Sequence, residues 1–171
     1  MTLLRLADIP EGHSEREWTT TADALEISDS NLEVPQPVSL EAALRRDGER
    51  IRIRLGVKGD VVGGCCRCLA DVRIPVVAEG QVLFDERTDR AETNNLWRAQ
   101  EEAIELAEEA RELFILELPV QVLCQDDCLG LCSRCGENRN RAGCKCDGSD
   151  VDPRWSALGD LAKEKDANAS N

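Results

Sequence analysis

The sequence predicts an α+β fold: an antiparallel β meander or partial barrel, one amphipathic helix, and a cysteine-rich module toward the carboxyl end. Three observations predict it. Residues 50–57 alternate strictly, with Ile51, Ile53, Leu55 and Val57 on one side and Arg50, Arg52 and Arg54 on the other, which is the period of a half-buried strand. Residues 97–118 repeat apolar side chains at three- and four-residue intervals, the period of a helix with one buried face. Six of the nine cysteines fall within the 23 residues from Cys124 to Cys146.

The elements follow in order. Residues 18–27 fit a strand or a short helix, and their threonines favour the strand. Pro35 and Pro37 interrupt the chain. Residues 38–46 are ambiguous, because Leu40, Ala43 and Leu44 also fit a helical turn. Asp47-Gly48 marks a tight turn into the alternating strand. Lys58-Gly59-Asp60 predicts another turn, Val61-Val62 resumes extension, and Gly63-Gly64 bends the chain into Cys65. Residues 71–84 predict one or two further strands, with Pro75 on an edge because it cannot donate to a ladder. Residues 85–95 are polar and read as a loop. The helix then runs over 97–118. Ala103, Leu106, Ala107, Ala110, Leu113 and Phe114 share its inner face, glutamates crowd the remainder, and Pro119 stops it. The predicted organisation is a β-rich domain with acidic linker and helix over 1–118, a cysteine module over 119–161, and a disordered tail over 162–171.

Composition narrows the function classes. The 171-residue chain has a net charge of −13, which argues against a uniform nucleic-acid or anionic-membrane coat. With three Trp, two Phe and no Tyr, base stacking on exposed rings is a poor binding mode. The charge is uneven: residues 42–84 carry net +3 while 85–117 carry net −7. No secretory signal or apolar span is visible, so a cytoplasmic location and no membrane contact are expected. Thiols in that reducing compartment stay free, and dense cysteines there read as metal ligands before disulfides.

The cysteine spacing specifies the chemistry. Cys132 and Cys135 form a C-x-x-C, and Gly136 can take the left-handed conformation that a knuckle turn needs. Cys144 and Cys146 return after eight residues. Zinc prefers four ligands in a tetrahedron, and four thiolates satisfy it with no open position. The first expected site is therefore a four-cysteine zinc knuckle of Cys132, Cys135, Cys144 and Cys146. A second groups Cys65 and Cys68 with Cys124 and Cys128, stapling the sheet to the start of the knuckle and leaving Cys66 over. One Zn2+ is expected, or two, and mixed pairings remain open. Buried free cysteine, an iron–sulfur cluster and a dithiol redox pair are the competing readings. Redox activation needs a helix N-terminus beside the thiol, and neither C-x-x-C opens a helix pattern.

Other motifs are weaker. His13-Ser14-Glu15 matches the H-x-E of zinc deaminases, but no proline precedes either C-x-x-C. His13 is also the only histidine. No phosphate-cradling glycine loop occurs, so no enzyme activity and no small-molecule substrate are expected. Arg50, Arg52 and Arg54 lie about 6.6–6.8 Å apart along a strand, a pitch that could follow a phosphate backbone. Arg134, Arg139, Arg141 and Lys145 form a second basic group. The plainer reading of each is a solvated surface offset by acids. The acidic helix face is either simply solvated or a dock for a basic protein.

The order Cys65-x-Arg67-Cys68-Leu69, an acidic linker, Leu116-Glu117-Leu118-Pro119, Cys124-x-x-x-Cys128-x-Gly130-Leu131-Cys132-x-x-Cys135-Gly136-x-Asn138-x-Asn140, Cys144-x-Cys146 and Asp152-Pro153-Arg154 resembles the bacterial YceD-like family over roughly residues 40–161. This is the large-ribosomal-RNA-accumulation family. The resemblance implies a role in accumulation or processing of 23S ribosomal RNA and in large-subunit assembly. The expected function is thus a non-enzymatic ribosome-biogenesis factor with structural zinc. Its expected partner is ribosomal RNA or a large-subunit ribosomal protein, with Arg50, Arg52, Arg54, Arg134, Arg139 and Arg141 as RNA contacts. The alternatives are a zinc-dependent protein adaptor that does not touch RNA, and a thiol redox sensor.

Overall fold

The computed structural model describes residues 2–28, 31–35, 37–92, 97–98, 102–141, 143–146 and 154. The chain forms two compact units, Met1–Cys128 and Leu129–Asn171. The expected tail over 162–171 lies outside the described residues.

The first unit is built on one long antiparallel sheet. Strand β1 is Leu3–Arg5, β2 is Gly12–Thr20, β3 is Leu32–Glu33, β4 is Val38–Asp47, β5 is Arg50–Gly64 and β6 is Asp71–Asp85. β4 pairs with β2 on one side and β5 on the other, and β6 pairs with β5 along its whole length, while β3 continues the β4 edge beside Val62 and Gly63. Neither β2 nor β6 has a further strand neighbour among the described residues, so the sheet is open rather than a closed barrel. Pro75 sits on β6, an edge strand, where its missing N–H leaves no ladder bond unmade.

Alternation on β5 is as the sequence predicts. Ile51, Ile53, Leu55 and Val57 have no solvent exposure, and the intervening arginines are exposed. β4 resolves the ambiguity of 38–46 in favour of a strand. Val38, Leu40, Ala42 and Leu44 all face the core, a period of two that is sustained by pairing on both edges. The turn expected at Lys58-Gly59-Asp60 is not there. β6 keeps pairing through it, and glycine at position 59 lets Phe114 approach the strand closely, since an added Cβ would lie only 3.1 Å from Phe114 Cε2.

Two helices follow the sheet. Helix α1, Glu86–Glu92, occupies the polar stretch expected to be a loop. Its start is tied by Asp85, whose Oδ1 accepts from the Arg87 N–H at 3.1 Å. Arg46 braces it from the core side. Its guanidinium donates to the carbonyls of Leu6 and Ile9 and to Glu86 Oε1 at 2.6 Å. Next come β7, Trp97–Arg98, and β8, Ala103–Glu105, then helix α2, Ala107–Leu116. The single helix expected over 97–118 is therefore shorter. Glu102 takes φ +48°, which a right-handed helix cannot continue. Residues 103–105 pair instead with β1. A partner strand from the opposite end of this unit's sequence overrides the helical spacing of Ala103 and Leu106.

α2 lays Ala110 and Phe114 onto β5 and β6. Burying Phe114 contributes about 1.5–3 kcal/mol. The helix approaches closely because Gly80 has no side chain: a Cβ there would lie 2.6 Å from Leu113 Cδ2. Phe84 stacks on Trp97 with centroids 5.9 Å apart, and the Arg90 guanidinium covers the Trp97 ring at 4.5 Å.

Candidate metal centres

The turn between β5 and β6 is Cys65–Ala70, and its backbone closes on itself. The Cys65 N–H donates to the Ala70 carbonyl at 2.8 Å, and the Leu69 N–H donates to the Cys65 carbonyl at 2.9 Å. The same frame recurs in the second unit. The Cys132 N–H donates to the Glu137 carbonyl at 2.8 Å, and the Gly136 N–H to the Cys132 carbonyl at 2.9 Å. In both turns the residue after the second cysteine is left-handed, with φ +59° at Leu69 and +72° at Gly136. Two segments that share the pattern Cys-x-Arg-Cys, Cys65–Cys68 and Cys132–Cys135, thus fold into one knuckle geometry. Glycine takes that position at no steric cost, while leucine is strained there.

Each knuckle presents its sulfurs to a second cysteine pair. In the first unit the Cys65 and Cys128 sulfurs are 3.8 Å apart, and those of Cys68 and Cys124 are 3.6 Å apart. In the second unit the Cys135 and Cys144 sulfurs are 3.8 Å apart. Within Cys65, Cys68, Cys124 and Cys128, and within Cys132, Cys135, Cys144 and Cys146, all sulfurs lie within 4.8 Å of one another. A tetrahedron with arms of about 2.3 Å has edges of about 3.8 Å. The thiols are all free, and these separations far exceed a disulfide bond of about 2.05 Å. Either cluster could hold a metal ion.

The two clusters differ in setting. Cys65, Cys68 and Cys128 are buried and pack with Ala70, Val72 and Leu123. In the second cluster Cys132 and Cys144 are half-buried, and Cys135 and Cys146 are exposed. The first is braced by Arg67, whose Nη1 donates to the carbonyls of Asp126 at 3.1 Å and Cys128 at 3.0 Å. The Cys66 N–H donates to the Val122 carbonyl at 2.8 Å, so Cys66 serves the turn through its backbone while its side chain is exposed. In the second unit Asn138 and Asn140 shape the chain between the pairs. Asn138 Oδ1 accepts from the Asn140 N–H, and Asn140 Oδ1 accepts from the Leu129 N–H, each at 2.9 Å.

The thiols of the two clusters share one electrostatic pattern. Backbone N–H groups of Arg67 and Cys68 pull the Cys65 thiol down to about 6, and those of Cys135 and Arg134 do the same for Cys132. Bonding to the Cys128 thiol, followed by burial, pushes Cys124 up to about 12, and bonding to Cys135, followed by burial, pushes Cys146 up to about 12. One thiolate forms readily in each cluster, and its neighbours resist a second negative charge. A bound cation removes that penalty by ionising coordinating thiols outright.

The strand arginines have a different setting. Arg50 pairs with Asp85 at 3.2 Å and Arg54 with Glu79 at 2.5 Å across the β5–β6 ladder. Arg52 lies opposite Arg45 on β4 and Leu83 on β6. Lys58 pairs with Glu41, and Arg73 with Asp60. His13 is on strand β2, exposed beside Glu15 at 3.3 Å. Arg134, Arg139 and Arg141 are exposed on the second unit. Spacing alone does not pick out Arg67 or the strained Leu69. Their signal is positional: aligning Cys65-x-x-Cys68 with Cys132-x-x-Cys135 puts Leu69 where Gly136 stands.

With that geometry in view, residues 53–162 match the family model described as large ribosomal RNA subunit accumulation protein YceD. The chain belongs to the YceD family. All eight clustered cysteines fall inside the matched segment. An uncharacterised protein of Mycobacterium tuberculosis is 32% identical over 134 residues, 74% of this chain and 64% of that protein, so the chain spans under two thirds of that relative's length. The uncharacterised protein YlbN of Bacillus subtilis is 23% identical over 167 residues, covering 96% of this chain and 97% of its own. A chloroplastic YCED homolog 1 of Arabidopsis thaliana, named for large ribosomal RNA subunit accumulation, is 31% identical over 61 residues, 36% of this chain and 19% of its own. No solved structure matches the chain. Among the described residues, no helix is long and apolar enough to cross a membrane.

Proposed function

We propose that this YceD-family chain is a non-enzymatic, cytoplasmic assembly factor of the large ribosomal subunit. It supports accumulation and processing of 23S ribosomal RNA and carries two structural Zn2+ ions. The observation that carries the reading is the family match over residues 53–162, which includes every clustered cysteine.

The choice of zinc rests on spacing. Sulfur separations of 3.6–3.8 Å suit one ion with arms of about 2.3 Å. In a cluster of four irons each cysteine would bind its own metal, and the sulfurs would stand further apart. Four thiolates also saturate the ion, so it scaffolds rather than activates water. The knuckles are turns rather than helix starts, which weighs against dithiol exchange. The partner is ribosomal RNA or a large-subunit ribosomal protein.

The test is the ratio of 23S to 16S ribosomal RNA in cells lacking the gene, with and without the intact chain supplied in trans. A depressed ratio restored by the chain is expected. An unchanged ratio and a normal large-subunit peak on a sucrose gradient would overturn the reading.

A further inference from the structure

We propose that Arg139 and Arg141, with Lys145 in the same exposed segment, form a phosphate-binding surface on the second unit that holds the backbone of folded ribosomal RNA, and that Arg50 and Arg54 on β5 do not. This rests on the assembly-factor reading and names the contact within it.

The first observation is charge pairing. On β5, Arg50 bonds the carboxylate directly opposite it, Asp85, and Arg54 reaches diagonally across the ladder to Glu79. A phosphate arriving there must displace an ion pair, so little net charge is on offer. On the second unit, residues 129–146 contain Arg134, Arg139, Arg141 and Lys145 against one acid, Glu137, and the next acid in sequence is Asp147. A divalent ion with four thiolates carries two net negative charges, and this segment remains positive after including them. Arg139, Arg141 and Lys145 are exposed.

The second observation is the hydrogen-bonded backbone from which these two side chains leave. The Arg139 N–H donates to the Gly130 carbonyl at 2.9 Å, and the Arg141 N–H donates to the Asn138 carbonyl at 3.0 Å. Leu131 and Asn138 form an antiparallel bridge. Asn138 Oδ1 takes both the backbone N–H and the side-chain amide of Asn140, at 2.9 and 2.8 Å. The two arginines therefore leave a pinned segment at alternate positions, and less chain entropy is lost when they meet a ligand.

The third observation sets the ligand class. Residues 129–146 contain no aromatic side chain, so no platform of rings for unpaired bases is available there. Guanidinium and ammonium groups on phosphate oxygens are what remains. Such contact reads backbone shape with little sequence preference and depends strongly on salt.

The test uses the zinc-loaded full chain and a 23S ribosomal RNA transcript, with affinity measured across a salt series. R139Q/R141Q should lower the slope of log K against log salt by about 1.4–1.8, from 0.7–0.9 per lost phosphate contact, and weaken binding about tenfold or more near 0.15 M. R50Q/R54Q should leave both unchanged. R139K/R141K should retain most of the binding, which separates loss of charge from loss of fold, and zinc content is measured on every variant. Wild-type binding by R139Q/R141Q, or loss of binding by R50Q/R54Q alone, would overturn the proposal. So would a wild-type chain that ignores RNA and captures an acidic protein instead. Full rescue of 23S accumulation in cells by R139Q/R141Q defeats only this contact, whereas unchanged 23S in cells lacking the gene defeats the assembly reading itself.

Discussion

Changing one cysteine in each cluster should separate two ions. Cys68→Ser acts on the buried cluster, where the Cys68 and Cys124 sulfurs are 3.6 Å apart, and Cys135→Ser acts on the exposed one, where Cys135 and Cys144 are 3.8 Å apart. Serine replaces a soft thiolate by a neutral hydroxyl on a shorter bond, so the fourth arm of the tetrahedron is lost. Structural zinc in small modules contributes roughly 10–16 kcal/mol at neutral pH. An equal quarter share is about 2.5–4 kcal/mol, or roughly two to three orders of magnitude in affinity. Elemental analysis after equilibration with a graded chelator reads this directly. The wild-type chain should hold two zinc ions per molecule, each single variant one, and the double variant none. In the wild type the cluster with exposed Cys135 and Cys146 should empty first, because a chelator reaches it without opening the core. One ion in the wild type, loss of both from a single variant, or iron with inorganic sulfide in place of zinc would refute the reasoning.

Two further outcomes follow from backbone and packing. Leu69→Gly should stabilise the first unit by about 1 kcal/mol, since it relieves a left-handed leucine whose side chain is 69% exposed and so gives up little burial; chemical denaturation of the zinc-loaded chain measures it, and a loss of stability would remove the parallel drawn with Gly136. Gly80→Ala should cost about 1–3 kcal/mol by overpacking, because three Leu113 side-chain atoms lie within 3.2 Å of the added Cβ. Adding Leu113→Ala should return much of that loss in a double-mutant cycle, and simple additivity would show that α2 does not rest there.

Strand β5 is legible in the sequence because its pattern has one reading. Four buried aliphatics alternate with exposed residues, and no helical face accommodates them. Segment 38–46 is not, because Leu40, Ala43 and Leu44 satisfy a helix while Val38, Leu40, Ala42 and Leu44 satisfy a strand. Pairing with β2 and β5 on opposite edges selects the second set. The periodicity over 97–118 overstates the helix for a related reason. Local spacing contains no information about β1, whose backbone claims residues 103–105. Lys58-Gly59-Asp60 signals a turn that does not form, because glycine marks both a bend and a close approach, and here Phe114 supplies the second cause.

The cysteine spacing already contains the chemistry: soft ligands in close pairs, enough for tetrahedral sites, with a glycine ready for one knuckle turn. It cannot assign the pairs to ions, because loop closure alone permits several groupings at similar entropic cost. Folding of β5 against β6 places Cys65 and Cys68 where Cys124 and Cys128 arrive, and leaves Cys132, Cys135, Cys144 and Cys146 to close on one another. The charge of each arginine is likewise plain from the chain. Its availability depends on which residue the ladder sets opposite it, and that is a long-range register that no stretch of neighbouring residues encodes.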